Sequence, residues 1–428
     1  MSVARSSPHD ALALDPASVR DVVRTYVNAR PRSQAMIQDA ARVLPGAETR
    51  SVTHYDPFPT VIISGQGAAV RDLDGIEYID LVNNYTSLVH GNAFPPATDA
   101  IRSVLASGTV FPSAHPSQVE LGEALIERIP SVERVRFTNS GSEASVLALR
   151  LARFATGRRA VVLAEGAYHG ALLPFTSNEP DVTRVPFNDP DVLESAVTEE
   201  VAAVFMEPFL GAGGVIAADA KYLQAVARRC AEVGAIFVLD EIQSLRNSYS
   251  GVGHEMGLTP DLTLMAKVIG GGLPVGAIGG NADLIDLMSP SRAVRLDHAG
   301  TFNGSIAAMV GGLAAVNHLD EAAIVTLNGR GLWLQNAIAE RAAAVGFACV
   351  VTRAGSILNV HPGSEPVKSA KDAGRDQEIR RALHLALMNE GIYTTPRGMI
   401  NLSTTMTDSQ VAGVANAFGR SMSAIASR

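Results

Sequence analysis

Between about residues 95 and 320 the hydrophobic positions fall into short, nearly continuous runs separated by stretches with helical spacing. The runs Arg134 to Phe137, Ala160 to Leu163, Val201 to Met206 and Ile236 to Leu239 read as strands, and their alternation with helical stretches predicts a mostly parallel sheet covered on both faces, an open α/β domain. Upstream, residues 20 to 45 carry a helical pattern, and Arg50 to Tyr55 with Pro57 and Pro59 reads as extended, because proline disfavours helix on its N-terminal side. Thr60 to Ser64, Ala68 to Asp72 and Glu77 to Leu81 are β-prone, with the Asp74-Gly75 turn between the last two. Downstream, helical patterns near 325 to 345, 375 to 391 and 407 to 426 flank strand-like runs at 347 to 351, 356 to 360 and 399 to 403, which predicts a smaller α+β domain. The expected organisation is an N-terminal segment, 1 to 94, contributing to the small domain, a large α/β domain, 95 to 322, and a small α+β domain, 323 to 428.

With 428 residues, 47% of them hydrophobic and 18% charged, the chain can bury a large core. The net charge of −8 is spread without a basic block, so neither nucleic acid nor an anionic membrane is expected as a partner. No run approaches transmembrane length. Cys230 and Cys349 lie in apolar or helical patterns far from CxxC spacing, as expected for reduced core thiols in a cytoplasmic protein. Met1 to Leu12 has one arginine and no continuous apolar stretch, unlike a secretory signal.

Four residues are lysine, and one, Lys267, lies in an apolar, glycine-rich run from Leu262 to Gly272. A lysine placed there loses hydration, and its neutral amine becomes able to attack a carbonyl. The competing reading is a lysine that packs its stem and sends its head to water. Neighbouring motifs decide between them. Asn139-Ser140-Gly141-Ser142-Glu143-Ala144 follows a strand and opens a helix, so Ser140, Gly141 and Ser142 stand where backbone amides attract phosphate, although serine and glutamate at such a junction also form a plain cap. Tyr168-His169-Gly170 reads as the end of a strand-like segment, placing a ring at the carboxyl edge of the sheet, where it stacks on a planar ligand or packs the rim. The strand before Asp240 and Glu241 delivers both carboxylates to that edge. Asp240 there suits the nitrogen of a pyridine ring; a metal is the weaker alternative because no histidine lies at ligand spacing. Thr301, before the small-residue helix from Ile306 to Ala315, can offer a hydroxyl and an amide to an anion. Together these parts match what a pyridoxal phosphate enzyme requires.

In order and spacing, Asn139 to Ala144, Ala167 to Gly170, Glu207-Pro208, Asp240-Glu241, Ala266-Lys267, the glycines 270 to 272 and His298 to Asn303 resemble the class III pyridoxal phosphate aminotransferases, over about residues 36 to 424. The resemblance implies fold type I, with a mostly parallel seven-stranded sheet, and a homodimer with active sites at the subunit interface. It implies Lys267 as the Schiff-base lysine and proton shuttle, Asp240 on the ring nitrogen, Tyr168 against one ring face and Ile242 on the other. His169 and Glu207 complete the cofactor set, and Thr301 reaches the cofactor phosphate of the partner subunit. Within the class the chain is similar to β-amino acid aminotransferases and to glutamate-1-semialdehyde aminomutase. Arg50, in Glu48-Thr-Arg-Ser-Val52, and Arg397, in Tyr393-Thr-Thr-Pro-Arg-Gly398, resemble the carboxylate-binding arginines of the former, and a guanidinium fork suits a carboxylate. The implied reaction moves an amino group from a β-amino acid to a 2-oxo acid such as 2-oxoglutarate or pyruvate by a ping-pong route. The aminomutase reaction is the alternative, and a noncatalytic binding protein a distant third. Asp240-Glu-Ile-Gln-Ser-Leu-Arg246 departs from the family's Asp-Glu-Val, any residue, Thr-Gly-Phe-Arg, and the segment between Gly170 and Asn188 is short, so the pocket should differ locally. Tyr55, Phe58, Tyr85 and Phe209 are further pocket candidates by neighbourhood.

Overall fold

The strand Ile236–Asp240, apolar until its last residue, stands at the centre of a seven-stranded sheet in a computed structural model that describes residues 14–426. Met1 to Leu12, read above for a secretory signal, lies outside the described residues. The sheet order is Arg134–Thr138, Gly276–Gly280, Leu262–Ala266, Ile236–Asp240, Val201–Met206, Ala160–Ala164 and Val182–Val185. All strands run parallel except Gly276–Gly280, which is antiparallel to both neighbours. The six parallel strands therefore deliver the residues that follow them to one edge, where open α/β sheets bind ligands.

Strand alternation builds the two helical layers. Val161, Leu163, Phe205 and Val238 face a cluster with Leu147 and Leu151 of the helix Gly141–Thr156. Val162, Val204, Phe237 and Leu239 face the other side, against Tyr222, Leu223, Val226 and Cys230 of the helix Ala220–Val233. Burying such side chains on both faces contributes about 1.5–3 kcal/mol each, and this fixes the strand register.

Three differences from the sequence reading have physical causes. The helical pattern of residues 20 to 45 is two helices, Pro16–Ala29 and Pro31–Ala40, because Pro31 has no N–H and Arg30 between them leaves helical geometry at φ −129°, ψ 48°. Tyr168 is not at a strand end: its strand stops at Ala164 and the residue sits in the loop beyond. Gly276–Gly280 was not foreseen as a strand, since glycine carries no side-chain pattern. Its glycines are required by close approach instead, as a Cβ on Gly276 would meet the Ser140 carbonyl oxygen at 2.1 Å.

A second sheet joins chain ends distant in sequence. Ile62–Gln66, Ala69–Asp72 and Glu77–Asp80 form an antiparallel set, and Ile392–Tyr393 pairs in parallel with the last. A third, antiparallel sheet holds Cys349–Ala354, Ile357–Pro362 and Met399–Asn401. Arg30 fastens the N-terminal helices here: fully buried, it donates to the Tyr78 hydroxyl at 2.8 Å, to the Tyr26 carbonyl at 3.1 Å and to the Met388 carbonyl at 2.8 Å, with Asp72 4.0 Å away. Arg30→Ala leaves the buried Asp72 charge without a cation and removes a donor from the Tyr78 hydroxyl and these carbonyls, and we expect it to lose about 3 kcal/mol of stability, measured by denaturant midpoint; a shift within error would show that solvent replaces the guanidinium.

Candidate active site

The loops at the carboxyl edge of the large sheet converge on Lys267. It directly follows the strand Leu262–Ala266 and opens a single tight turn with φ +56°, a left-handed conformation that a side chain other than glycine's seldom adopts. Such strain persists only where the surroundings over-determine it. Of the glycines 270 to 272 that follow, Gly271 is required because the turn packs against the helix Ile306–His318: a Cβ on Gly271 would meet the Gly311 carbonyl oxygen at 2.2 Å. The Lys267 side chain is half-buried, and desolvation pushes its amine down to about 8, even though Asp240 and Glu207 pull it the other way. The amine therefore becomes the free nucleophile as pH rises through about 8, well below the range of a solvated lysine.

Asp240 ends the central strand and is 4% exposed. Its Oδ2 lies 2.8 Å from His169 Nδ1, and its Oδ1 accepts from the Ile242 amide at 3.0 Å. His169 is 2% exposed, packed edge-on to Phe175 and tilted against Phe205, and its Nε2 is buried without a hydrogen-bond partner. Both groups are thus held rigidly, with Asp240 retaining free lone pairs. Glu207, also buried, accepts from the Tyr168 amide at 3.1 Å and the Gly211 amide at 3.4 Å, and burial beside Asp240 pushes its carboxyl up. It holds the Tyr168 loop through its backbone. Glu241 points elsewhere: its oxygens accept from the Ser244 hydroxyl and from the Gly253 amide at 2.6 Å. The Asp240 and Glu241 carboxylates therefore serve different partners, and among the described residues no group of three or more His, Cys, Asp and Glu side chains converges as a metal site.

Ser140 caps the helix Gly141–Thr156, its hydroxyl accepting from the Glu143 amide at 3.2 Å. The capping role foreseen as an alternative is therefore real. It leaves the Gly141 and Ser142 amides among the donors that a helix start does not satisfy internally. Glu143, read above only as part of a cap, turns back to accept from the Asn139 amide at 2.9 Å and its Nδ2 at 3.2 Å. Its position in Asn139-Ser-Gly-Ser-Glu143 was the available signal. The Ser142 hydroxyl accepts from the Ala171 amide at 3.2 Å, and a Cβ on Gly170 would meet that hydroxyl at 2.5 Å, so the Tyr168 loop closes on the helix start. A Cβ on Gly141 would meet Ile242 Cδ1 at 2.8 Å and the Ala266 Cβ at 3.3 Å. Helix start, Ile242 and the residue before Lys267 thus share one small space. Tyr168 remains 49% exposed, its ring free to cover a ligand.

These observations fit pyridoxal phosphate. Unsatisfied helix-start amides beside Gly141 and Ser142 suit the phosphate, Asp240 backed by His169 suits a pyridinium nitrogen, and Lys267 supplies the amine. The loop bearing Thr301 lies alongside: Asn303 Oδ1 accepts from Asn139 Nδ2 at 2.9 Å, and Thr301 itself is exposed.

Both arginines lie in the neighbourhood of Tyr85. Arg50 lies over its ring at 5.7 Å and donates to Asn84 Oδ1 at 2.8 Å, and the charges of both Arg50 and Arg397 act on the Tyr85 hydroxyl. Tyr85 sits in a run of four consecutive left-handed residues, Asn83 to Thr86, with φ from 44° to 77°. Of the other pocket candidates, Tyr55 and Phe58 are core: Tyr55 pairs with the Tyr26 hydroxyl at 3.0 Å, and Phe58 packs at 5.4 Å from the Tyr26 ring. Phe209 is buried with Val215 and Ile357.

Residues 51–180 and 173–409 match the family described as aminotransferase class-III. The chain is 37% identical over 419 residues to a beta-phenylalanine transaminase of Variovorax paradoxus, covering 95% of this chain and 96% of that protein. It is 31% identical over 391 residues to a glutamate-1-semialdehyde 2,1-aminomutase of Ignicoccus hospitalis, covering 85% and 92%. The crystal structure of a beta-phenylalanine aminotransferase from Variovorax paradoxus superposes with a TM-score of 0.90 at 36% identity, covering 94% of this chain and 96% of that one.

Proposed function

The chain belongs to the class-III aminotransferase family, whose cofactor is pyridoxal phosphate, and from that premise we propose that it moves an amino group from a β-amino acid to a 2-oxo acid such as 2-oxoglutarate or pyruvate. The observation that carries the substrate class is the pairing of Arg50 and Arg397 about Tyr85. Both guanidinium groups are exposed, and neither is ion-paired among the described residues. A pocket with two guanidinium groups free of ion pairs can take a carboxylate in two positions, which a ping-pong reaction needs when donor and acceptor present theirs at different distances from the reacting carbon. Similarity to a beta-phenylalanine transaminase supports the same reading.

Pyridoxal phosphate, when bound, supplies the electron sink that lets a carbon–hydrogen bond of the amine ionise. The chain's own residues do the rest. Lys267 Nζ takes that proton and returns it. Asp240, oriented by His169 and the Ile242 amide, holds a proton on the ring nitrogen. Tyr168 and Ile242 confine the ring, and Gly141 and Ser142 offer amides to the phosphate. In a homodimer, Thr301 would add a hydroxyl to the partner's phosphate site.

The test is the visible spectrum of the holoenzyme titrated with β-phenylalanine without acceptor, followed by 2-oxoglutarate or pyruvate. We expect the cofactor band to bleach with the amine and return with the oxo acid. A band that stays unmoved by β-amino acids and responds to glutamate semialdehyde, turned over with no external acceptor, would replace this reading with the aminomutase reaction, which similarity to such enzymes also supports.

A further inference from the structure

We propose that Arg380 is a positioning residue for Arg397, fixing the main chain that presents the substrate guanidinium; this rests on the reading of Arg397 as a carboxylate binder. Arg397 occupies the third position of a turn in which Gly398 N donates to the Thr395 carbonyl at 3.0 Å, with Pro396 at the second position and Gly398, φ +77°, at the fourth. The turn is fastened from beneath. Arg380 Nη1 donates to the Arg397 carbonyl at 3.0 Å and to the Val360 carbonyl at 3.3 Å, and the Val360 amide donates to the Gly398 carbonyl at 3.2 Å. A Cβ on Gly398 would meet Arg380 Nη1 at 3.1 Å, so the turn rests directly on the guanidinium.

Arg380 is 5% exposed, in the helix Gln377–Asn389, and no carboxylate pairs with it among the described residues. Its other donors go to the Arg375 carbonyl at 3.1 Å through Nε and to His361 Nδ1 at 2.7 Å through Nη2. A planar fork with five donors spans these elements at once; an ammonium could not. Accepting at Nδ1 places the His361 proton on Nε2, which faces the Gly214 carbonyl at 3.0 Å and the Thr352 hydroxyl at 2.9 Å. Gly214 lies in the hairpin of Phe209–Leu210 and Ile216–Ala217, and the Gly211 amide at its start donates to Glu207, which also holds Tyr168. A line of polar contacts thus runs from the Tyr168 loop through the hairpin, His361 and Arg380 to the backbone of Arg397. The side chain of Arg397 is free to turn while its origin stays in register with the cofactor pocket.

The test measures hydrocinnamate, a carboxylate lacking the amine, binding to the holoenzyme by calorimetry, with the visible cofactor band as an independent readout. Arg380→Gln should weaken binding about tenfold with the band and cofactor affinity unchanged, and should weaken it no further in an Arg397→Ala background. Where Arg380→Gln gives no folded holoenzyme, Arg380→Lys is measured in the same way, with about a fivefold loss expected. Binding within twofold of wild type while Arg397→Ala loses it overturns the proposal, as does a parallel loss of cofactor, which marks a purely structural role. Unchanged binding in Arg397→Ala alone removes the underlying reading of Arg397.

Discussion

Lys267→Ala should reduce transamination by roughly 10³-fold or more, the range lost when a positioned acid–base group is deleted, while the protein stays folded. Alanine removes the lysine amine that desolvation pushes down to about 8 at this edge of the sheet. Alanine keeps the Cβ and with it the left-handed backbone at φ +56°, and it removes a desolvated amine, so stability should hold even as activity collapses. The pH dependence follows from the same burial. The amine in the folded apoprotein is pushed down to about 8, below the range of a solvated lysine, so it is charged and inert below that value and becomes free as pH rises through it. Capture of added pyridoxal phosphate by the apoprotein, followed by absorbance, should accelerate through that pH and level off above it. An alanine variant retaining more than a tenth of wild-type turnover, or a capture rate flat across that range, would remove Lys267 from the chemistry.

Much of this was legible in the sequence because the large sheet is built by one repeated device. Apolar strands buried on both faces leave little freedom about which residues follow them, and the residues after Val201–Met206, Ile236–Asp240 and Leu262–Ala266 are Glu207, Glu241 and Lys267, with Asp240 the last residue of its own strand. The lysine declared itself by its neighbours. What stayed hidden has no periodic signal. Gly276–Gly280 earns its place in the sheet by close backbone approach to Ser140 and Asp261, a property of the partner strands and loops rather than of the glycines. Asp240's dependence on His169 joins residues 71 apart in sequence, and Arg380's grip on the Arg397 carbonyl depends on the turn Thr395 to Gly398 folding over the helix. Tyr55 and Phe58 illustrate the converse: aromatic residues near Arg50 in sequence turned inward to Tyr26. Local composition reports what a residue is able to do, and tertiary contacts decide which way it faces.

Asp240→Asn tests the other half of the site, and here the expected loss is about 10²- to 10³-fold in kcat, the magnitude for removing one preorganised electrostatic group. The change keeps side-chain volume and one carbonyl oxygen, so the Ile242 amide at 3.0 Å can remain satisfied. The remaining amide nitrogen then faces His169 Nδ1 at 2.8 Å, donor toward a ring nitrogen, which accommodates it only by carrying its own proton on Nε2. Nε2 is the buried atom without a partner, so that tautomer gains no hydrogen bond in exchange. The neutral amide is also no longer able to hold a proton on a pyridine nitrogen, and with it goes the electron-withdrawing state on which ionisation of the substrate depends. Cofactor capture by Lys267 does not require that proton, so the visible band should persist with a shifted maximum while turnover falls. A His169→Gln variant should reproduce a fraction of the loss, since glutamine keeps a donor near Oδ2 without the aromatic packing against Phe175 and Phe205. If Asp240→Asn instead lost the band altogether, the carboxylate would be shaping the pocket rather than tuning the ring; if turnover stayed within threefold of wild type, the ring nitrogen would have no need of a charge, and Asp240 would serve only to orient His169 and the turn at Ile242.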